Sequence, residues 1–181
     1  MRSIAILVML AAGCGKGTAA DAGGRDAPAG RQAERRIVID LGRQSLRMIE
    51  GGRVMQTFDV STGPGGETPG GTFRVWRKNR MKDMKVGLVT LGKYYTLKNV
   101  PYIMYIEGEA APRSRGFAIH GAYWHDDFGK PVSHGCVNMS VEDAETLFFW
   151  TGPAIGALDE VLATDSDPGT PVEIVGRATG R

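Results

Sequence analysis

Ser133-His134-Gly135-Cys136-Val137-Asn138 places a hydroxyl, an imidazole, a thiol and a carboxamide within six consecutive positions. A second imidazole, His120, stands sixteen positions before Cys136, in Phe117-Ala118-Ile119-His120-Gly121. A thiol attacks well only as thiolate, and a neighbouring imidazole or a helix N-terminus favours that form. Both aids are available on paper: His120 as proton acceptor, and a helix opening near Ser140. His120 then acts as general base during attack and as general acid to a leaving amine. Such a base needs its other ring nitrogen held, and no Asp or Asn is placed to hold it. A backbone carbonyl, that of Gly121, is expected instead.

Acyl transfer also develops an oxyanion that needs fixed donors. The amides of Gly135 and Cys136 are candidates, with an N–H from the His134 ring. Asn138 lies on the same side as Cys136 if the segment is extended, which makes it a candidate contact for polar groups of a substrate. Ser133 reads either as a hydroxyl holding the local turn or as a second substrate contact. A rival chemistry is open: His134 and Cys136 with His120 or His125 form a possible zinc set, because zinc accepts nitrogen and sulfur ligands. No CxxC or HExxH spacing supports it.

Short strands must position these groups. Arg36–Asp40 and Ser45–Glu50 are apolar or alternating runs, and Arg53–Val60 follows Gly51-Gly52, a pattern for a tight hairpin. Ser61–Gly71 is a Gly/Pro loop. Thr72–Trp76 also alternates, and Pro101–Ile106, Gly116–His120 and the closing Thr170–Val175 read as further strands. Lys78–Val100 mixes charge, glycine and the pair Tyr94-Tyr95, and is expected to be an irregular lid over the site. Ser140-Val-Glu-Asp143 is a helix start with a serine N-cap, continuing to Trp150. Ala157–Ala163 is expected to be a second short helix. The fold class is mainly β, one domain, a sandwich or open barrel with one or two short helices.

The 181 residues are 42% hydrophobic and 23% charged, an ordinary globular balance. A net charge of +2 gives no case for a nucleic-acid partner. The cluster Arg74, Arg77, Lys78, Arg80, Lys82 and Lys85 reads as a solvated strand edge or as a patch attracting an anionic polymer.

Met1-Arg2, the apolar run Ile4–Leu10 and the small residues before Cys14 form an export signal too short to span a bilayer as a mature helix. Ending at Cys14, it resembles a bacterial lipoprotein signal, whose cysteine is lipidated. The organisation expected is a signal over 1–14, a Gly/Ala-rich tether over 15–34, a catalytic domain over 35–176 and a tail over 177–181. Cys136 is then an unpaired thiol in an exported protein.

His120-Gly121 followed by Ser133-His134-Gly135-Cys136 with Asn138 resembles the catalytic signature of the YkuD-like L,D-transpeptidases of bacterial cell-wall assembly. Ser61-Thr62-Gly63 and Thr68-Pro69-Gly70-Gly71-Thr72-Phe73 resemble a further segment of that family, and the resemblance runs from about Arg35 to Val175. It implies a mostly β domain, no metal or organic cofactor, and a cysteine that attacks a peptidoglycan tetrapeptide stem, releases D-alanine, and passes the acyl group to an amine of a second stem or of a protein lysine. By matching position, Cys136 is the nucleophile and His120 the acid/base. Gly121 orients His120, and His134, Gly135 and Cys136 surround the oxyanion. Tyr102, on the strand before His120, is the expected substrate tyrosine. The partners implied are stem peptides, with the membrane reached through Cys14, in the cell envelope. Water as acceptor would make the same fold a hydrolase, and a non-catalytic wall-binding domain is a third possibility. Many family members carry Arg where Asn138 stands, and no role is evident for 151–167.

Overall fold

The computed structural model describes residues 34–88 and 93–179. Cys14 and the expected signal and tether lie outside the described residues, apart from Glu34. Among the described residues, no helix is long and apolar enough to cross a membrane.

The strands are β1 (Arg35–Asp40), β2 (Ser45–Glu50), β3 (Arg53–Asp59), β4 (Gly71–Leu88), β5 (Lys93–Glu107), β6 (Ala118–Gly121), β7 (Val137–Met139), β8 (Glu160–Leu162) and β9 (Pro171–Val175). The helix α1 spans Val141–Trp150, between β7 and β8. One sheet runs in the order β3-β2-β1-β9-β4-β5-β6-β7, with β8 added to β4. The pairs β1–β9 and β6–β7 are parallel, and the other pairs are antiparallel. At the β2–β3 hairpin, Gly51 and Gly52 both take positive φ (57° and 79°), the conformation such a two-residue turn demands.

Residues from both ends of the strand order fill one core: Leu46, Met48 and Phe58 from one side, Ile119, Val137 and Met139 from the other, with Leu147 and Phe148 of α1. The sheet therefore bends around its apolar face but does not close. Its ends approach where Ser61, just after β3, exchanges backbone hydrogen bonds of 2.9 and 2.8 Å with Asn138 of β7.

Lys78–Val100 is not an irregular segment. Residues 78–88 and 93–100 form most of a long β4–β5 hairpin. Bulges between Val75 and Arg77 and between Lys82 and Met84 break the alternation that a sequence pattern needs. Left-handed φ values at Asn99 (51°) and Tyr102 (54°) kink β5 further. The segment Ala157–Ala163 is not a helix either. Glu160–Leu162 joins the sheet as β8, where Arg77 and Asn79 of β4 bond the Glu160 carboxylate at 2.6 Å each.

The basic cluster is largely consumed in holding 156–169 and α1 against β4. Arg74 donates to the Gly169 carbonyl, Arg80 to those of Leu158 and Gly156, and Arg77 and Lys82 face Glu160. Lys78 is wholly buried. Its Nζ donates to the carbonyls of Phe148 (2.5 Å) and Thr151 (2.7 Å), and Arg35 donates to that of Trp150 (2.9 Å). The last turn of α1 has no basic residue of its own, so these two strand cations satisfy its carbonyls and oppose its dipole. At the other end, Ser140 Oγ accepts from the Asp143 amide at 3.1 Å as N-cap.

Candidate active site

The strand pair β6–β7 carries the site. In the parallel register Ile119 faces Val137, His120 faces Asn138 and Gly121 faces Met139. Side chains alternate across a sheet, and Ile119, Val137 and Met139 point into the core. The opposite face thus receives His120, Asn138 and, two residues before Asn138, Cys136. That face has its own apolar patch of Met84, Val100, Ile103 and Ala118, against which Tyr105, Trp124 and Cys136 pack.

His120 is buried, with Nδ1 3.1 Å from the Gly121 carbonyl oxygen. A carbonyl only accepts, so Nδ1 carries the proton and Nε2 presents a lone pair. The Trp124 ring lies 5.7 Å from the imidazole, centroid to centroid. Burial pushes the His120 pKa down to about 4, against the raising effect of the Gly121 carbonyl and with a small further lowering by His125. Burial likewise pushes the Cys136 thiol up, offset in part by the Ala118 amide, although the residue keeps some exposed surface. The resting pair is therefore neutral thiol and neutral imidazole. The helix does not lower the thiol: β7 intervenes, and four to five extended residues put about 13–16 Å between Cys136 and the start of α1. A helix terminus acts within about one turn.

The loop before Cys136 is fixed from within. Ser133 Oγ donates to the Cys136 carbonyl at 2.5 Å and accepts from the Gly135 amide at 3.2 Å. Ser133 is buried, so its hydroxyl holds the turn and is not a free substrate contact. The Gly135 amide is committed to that hydroxyl and is not a free oxyanion donor. Among the described residues, the amides of His134 and Cys136 have no backbone or side-chain acceptor. Gly135 takes φ 120°, and a Cβ there would stand 2.9 Å from Phe117 Cε1 and 3.0 Å from the Glu67 oxygen. Thr68 Oγ1 donates to the Gly135 carbonyl at 2.7 Å and accepts from the Gly63 amide at 2.8 Å. The Gly/Pro loop thereby supports the thiol loop. The His134 ring is exposed and meets Tyr95 of β5 edge-on at 6.1 Å.

Tyr102 does not reach the thiol. It packs on Phe148 and Phe149 of α1, and its hydroxyl donates to Glu145 at 2.6 Å. Its left-handed φ and odd-even position send it to the helix side. Tyr105 is the tyrosine beside the thiol: it is the register partner of Ala118 and shares the apolar patch with Cys136. The identity of this tyrosine rests on strand register, which no local pattern reveals.

His125, read from sequence as a loop residue or zinc ligand, lies with Nε2 2.9 Å from the Asn138 carboxamide. Among the described residues, no three His, Cys, Asp or Glu side chains converge as a metal site. Clefts of about 520 and 470 Å³ lie elsewhere, at the end of α1 and beside Thr68–Gly70, and neither is lined by Cys136 or His120. The chemistry sits instead on the sheet face that carries His120 and the half-buried Cys136.

The model for the YkuD family, the L,D-transpeptidase catalytic domain, matches residues 34–174. The catalytic domain of the Enterococcus faecium L,D-transpeptidase is 26% identical over 81% of this chain and 100% of that one, with a TM-score of 0.57. An L,D-transpeptidase from Mycobacterium smegmatis is 22% identical, covering 80% of this chain and 59% of that one, with a TM-score of 0.60. L,D-transpeptidase 3 from Mycobacterium tuberculosis, in complex with a faropenem-derived adduct, is 23% identical over 80% and 61%, with a TM-score of 0.59. The latter two likenesses are of fold, and the chain spans about three fifths of those proteins. No curated protein matches the chain.

Proposed function

The chain belongs to the L,D-transpeptidase catalytic-domain family, and from that premise we propose that it is a cysteine acyltransferase acting on peptidoglycan stem peptides. The single observation carrying this reading is that His120 of β6 and Cys136, the residue just before β7, share one sheet face, with His120 Nδ1 tied to Gly121 and Nε2 left as a free base.

In the proposed reaction Cys136 Sγ attacks the carbonyl joining the L-centre of the diamino acid to the terminal D-alanine of a tetrapeptide stem. The thiol proton passes to His120 Nε2 as the S–C bond forms. The oxyanion is met by the amides of Cys136 and His134. His120 returns the proton to the D-alanine nitrogen, the C–N bond breaks, and a thioester remains. An incoming amine attacks that thioester with His120 again as base, and Cys136 leaves as thiol. Neutral partners suit this sequence: the proton moves during attack, so no buried ion pair has to be maintained beforehand. Asn138 and Tyr105 are the substrate contacts proposed, with the distal β4–β5 hairpin as a lid through Tyr95. The Tyr123 hydroxyl, donating to the Lys98 carbonyl at 2.5 Å, fastens that hairpin to the loop carrying Trp124. The stretch ending at Cys14 is read as a lipid anchor holding the domain in the cell envelope beside its substrate.

Purified tetrapeptide muropeptides test the reading. Cross-linked dimers with release of D-alanine, lost in Cys136→Ala, are expected. Intact mass after meropenem should show one covalent adduct at Cys136. Tripeptides without dimers would make water the acceptor, and no product with no adduct would overturn the enzymatic reading.

A further inference from the structure

We infer that His125 is a positioning residue: it locks the Asn138 carboxamide beside His120 and Cys136, so that Asn138 offers its NH2 group to a carbonyl or carboxylate oxygen of the substrate.

The argument begins with the tautomer. The Asp127 amide donates to His125 Nδ1 at 3.2 Å, so Nδ1 must present a lone pair. The neutral ring then carries its proton on Nε2, which stands 2.9 Å from the carboxamide position assigned to Asn138 Nδ2. An N–H facing an NH2 group would be repulsive, whereas an N–H facing a carboxamide oxygen is a hydrogen bond. The two carboxamide orientations are nearly isosteric, so the hydrogen-bond network decides between them. It places the Asn138 oxygen on His125 and turns the NH2 group away.

The lock is well braced. The His125 ring is held between Trp124 (6.1 Å) and Phe128 (5.2 Å). The Asn138 backbone is bonded to Ser61 on one side and lies in register with His120 on the other. Its carboxamide therefore keeps one position relative to the imidazole and, two residues back, the thiol. At the other end of that carboxamide no donor approaches among the described residues, and although Asn138 as a whole is only 5% exposed, that atom is not sealed from solvent.

The functional weight of this assignment rests on the acyl-transfer reading above, and its test has two arms. The first needs no activity. Nitrogen-15 NMR of the histidine rings in the full chain, near neutral pH, should find His125 protonated at Nε2, with slow exchange of that proton. Asn138→Leu should speed the exchange at least tenfold, in line with the loss of a partner that fixes a ring. An Nδ1-protonated ring, or exchange unchanged in Asn138→Leu, would overturn the assignment. Asn138→Ser serves if the leucine variant does not fold.

The second arm reads meropenem acylation at Cys136. His125→Asn, whose amide falls at the Nδ1 position, should slow acylation about tenfold, while His125→Gln, whose amide reaches the Nε2 position, should stay within about threefold of wild type. Combined with Asn138→Ala, His125→Asn should add nothing further, as expected for a residue acting through another. Additive losses, or equal damage from Gln and Asn, would overturn the positioning role. Wild-type protein that takes no adduct would instead strike the function, leaving the NMR arm to decide His125.

Discussion

His120 and Asn138 face each other across the parallel β6–β7 pair, and Cys136 lies two residues before Asn138 on the same side of the sheet. That register, more than any sequence spacing, unites base, nucleophile and carboxamide. It also buries His120, which explains why both reacting groups rest uncharged.

The thiol should behave accordingly. Because burial pushes Cys136 up and His120 down to about 4, no thiolate–imidazolium pair forms at neutral pH. Alkylation of Cys136 by iodoacetamide, followed by peptide mass, should rise about tenfold per pH unit through the ordinary thiol range near 8.5 and beyond. A reactive plateau between about pH 5 and 7, as an ion pair gives, would contradict this.

Lys78 should leave its mark on stability at alkaline pH. Burial pushes its pKa from 10.5 down to about 8, opposed by the attraction of Asp167. Between those values the unfolded chain keeps a proton that the folded chain has lost. Stability therefore rises with pH from about 8 to 10.5, by at most about 1.4 kcal/mol per unit, and the contribution is absent below that window. Urea unfolding of Lys78→Met should lack this rise. Parallel pH profiles for the two proteins would refute the assignment.

Gly135→Ala should distort the thiol loop. The residue sits at φ 120°, and the new Cβ would press on the Phe117 ring and the Glu67 carbonyl. Strain of about 1–3 kcal/mol is expected. A displacement of about 1 Å at Cys136 would lower the rate of meropenem adduct formation about a hundredfold. Thermal unfolding and the acylation rate should fall together.

Ser133→Ala should cost stability as well as rate. The variant loses the donor to the Cys136 carbonyl and leaves the buried Gly135 amide unsatisfied, a penalty of about 1–3 kcal/mol. A variant of unchanged stability that raises KM alone would instead make Ser133 a substrate contact.

Much of this molecule was legible one segment at a time. The Ser140 N-cap, the Gly51-Gly52 turn and the alternating β2 pattern are local, and each appears where the chain signals it. The thiol–imidazole signature pointed to the family because its residue types and spacing are specific. The reading failed where a contact joins distant segments. Bulges and the kink at Tyr102 hid the β4–β5 hairpin. Glu160–Leu162 became a strand because β4 had an edge and two partners, Arg77 and Asn79, to offer. The basic cluster looked free because its acceptors, the carbonyls of Phe148, Thr151, Leu158 and Gly169, lie some 70 to 95 residues away.

The sequence by itself determined which chemical groups are present, the strand that delivers His120, the helix that opens at Ser140 and the family. Tertiary structure decided which tyrosine flanks the thiol, which amides around it stay free, and that His125 meets Asn138. The physical reason is that strand identity is written in local periodicity, whereas register, burial and hydrogen-bond partnership exist only once separate strands have paired and water has left between them.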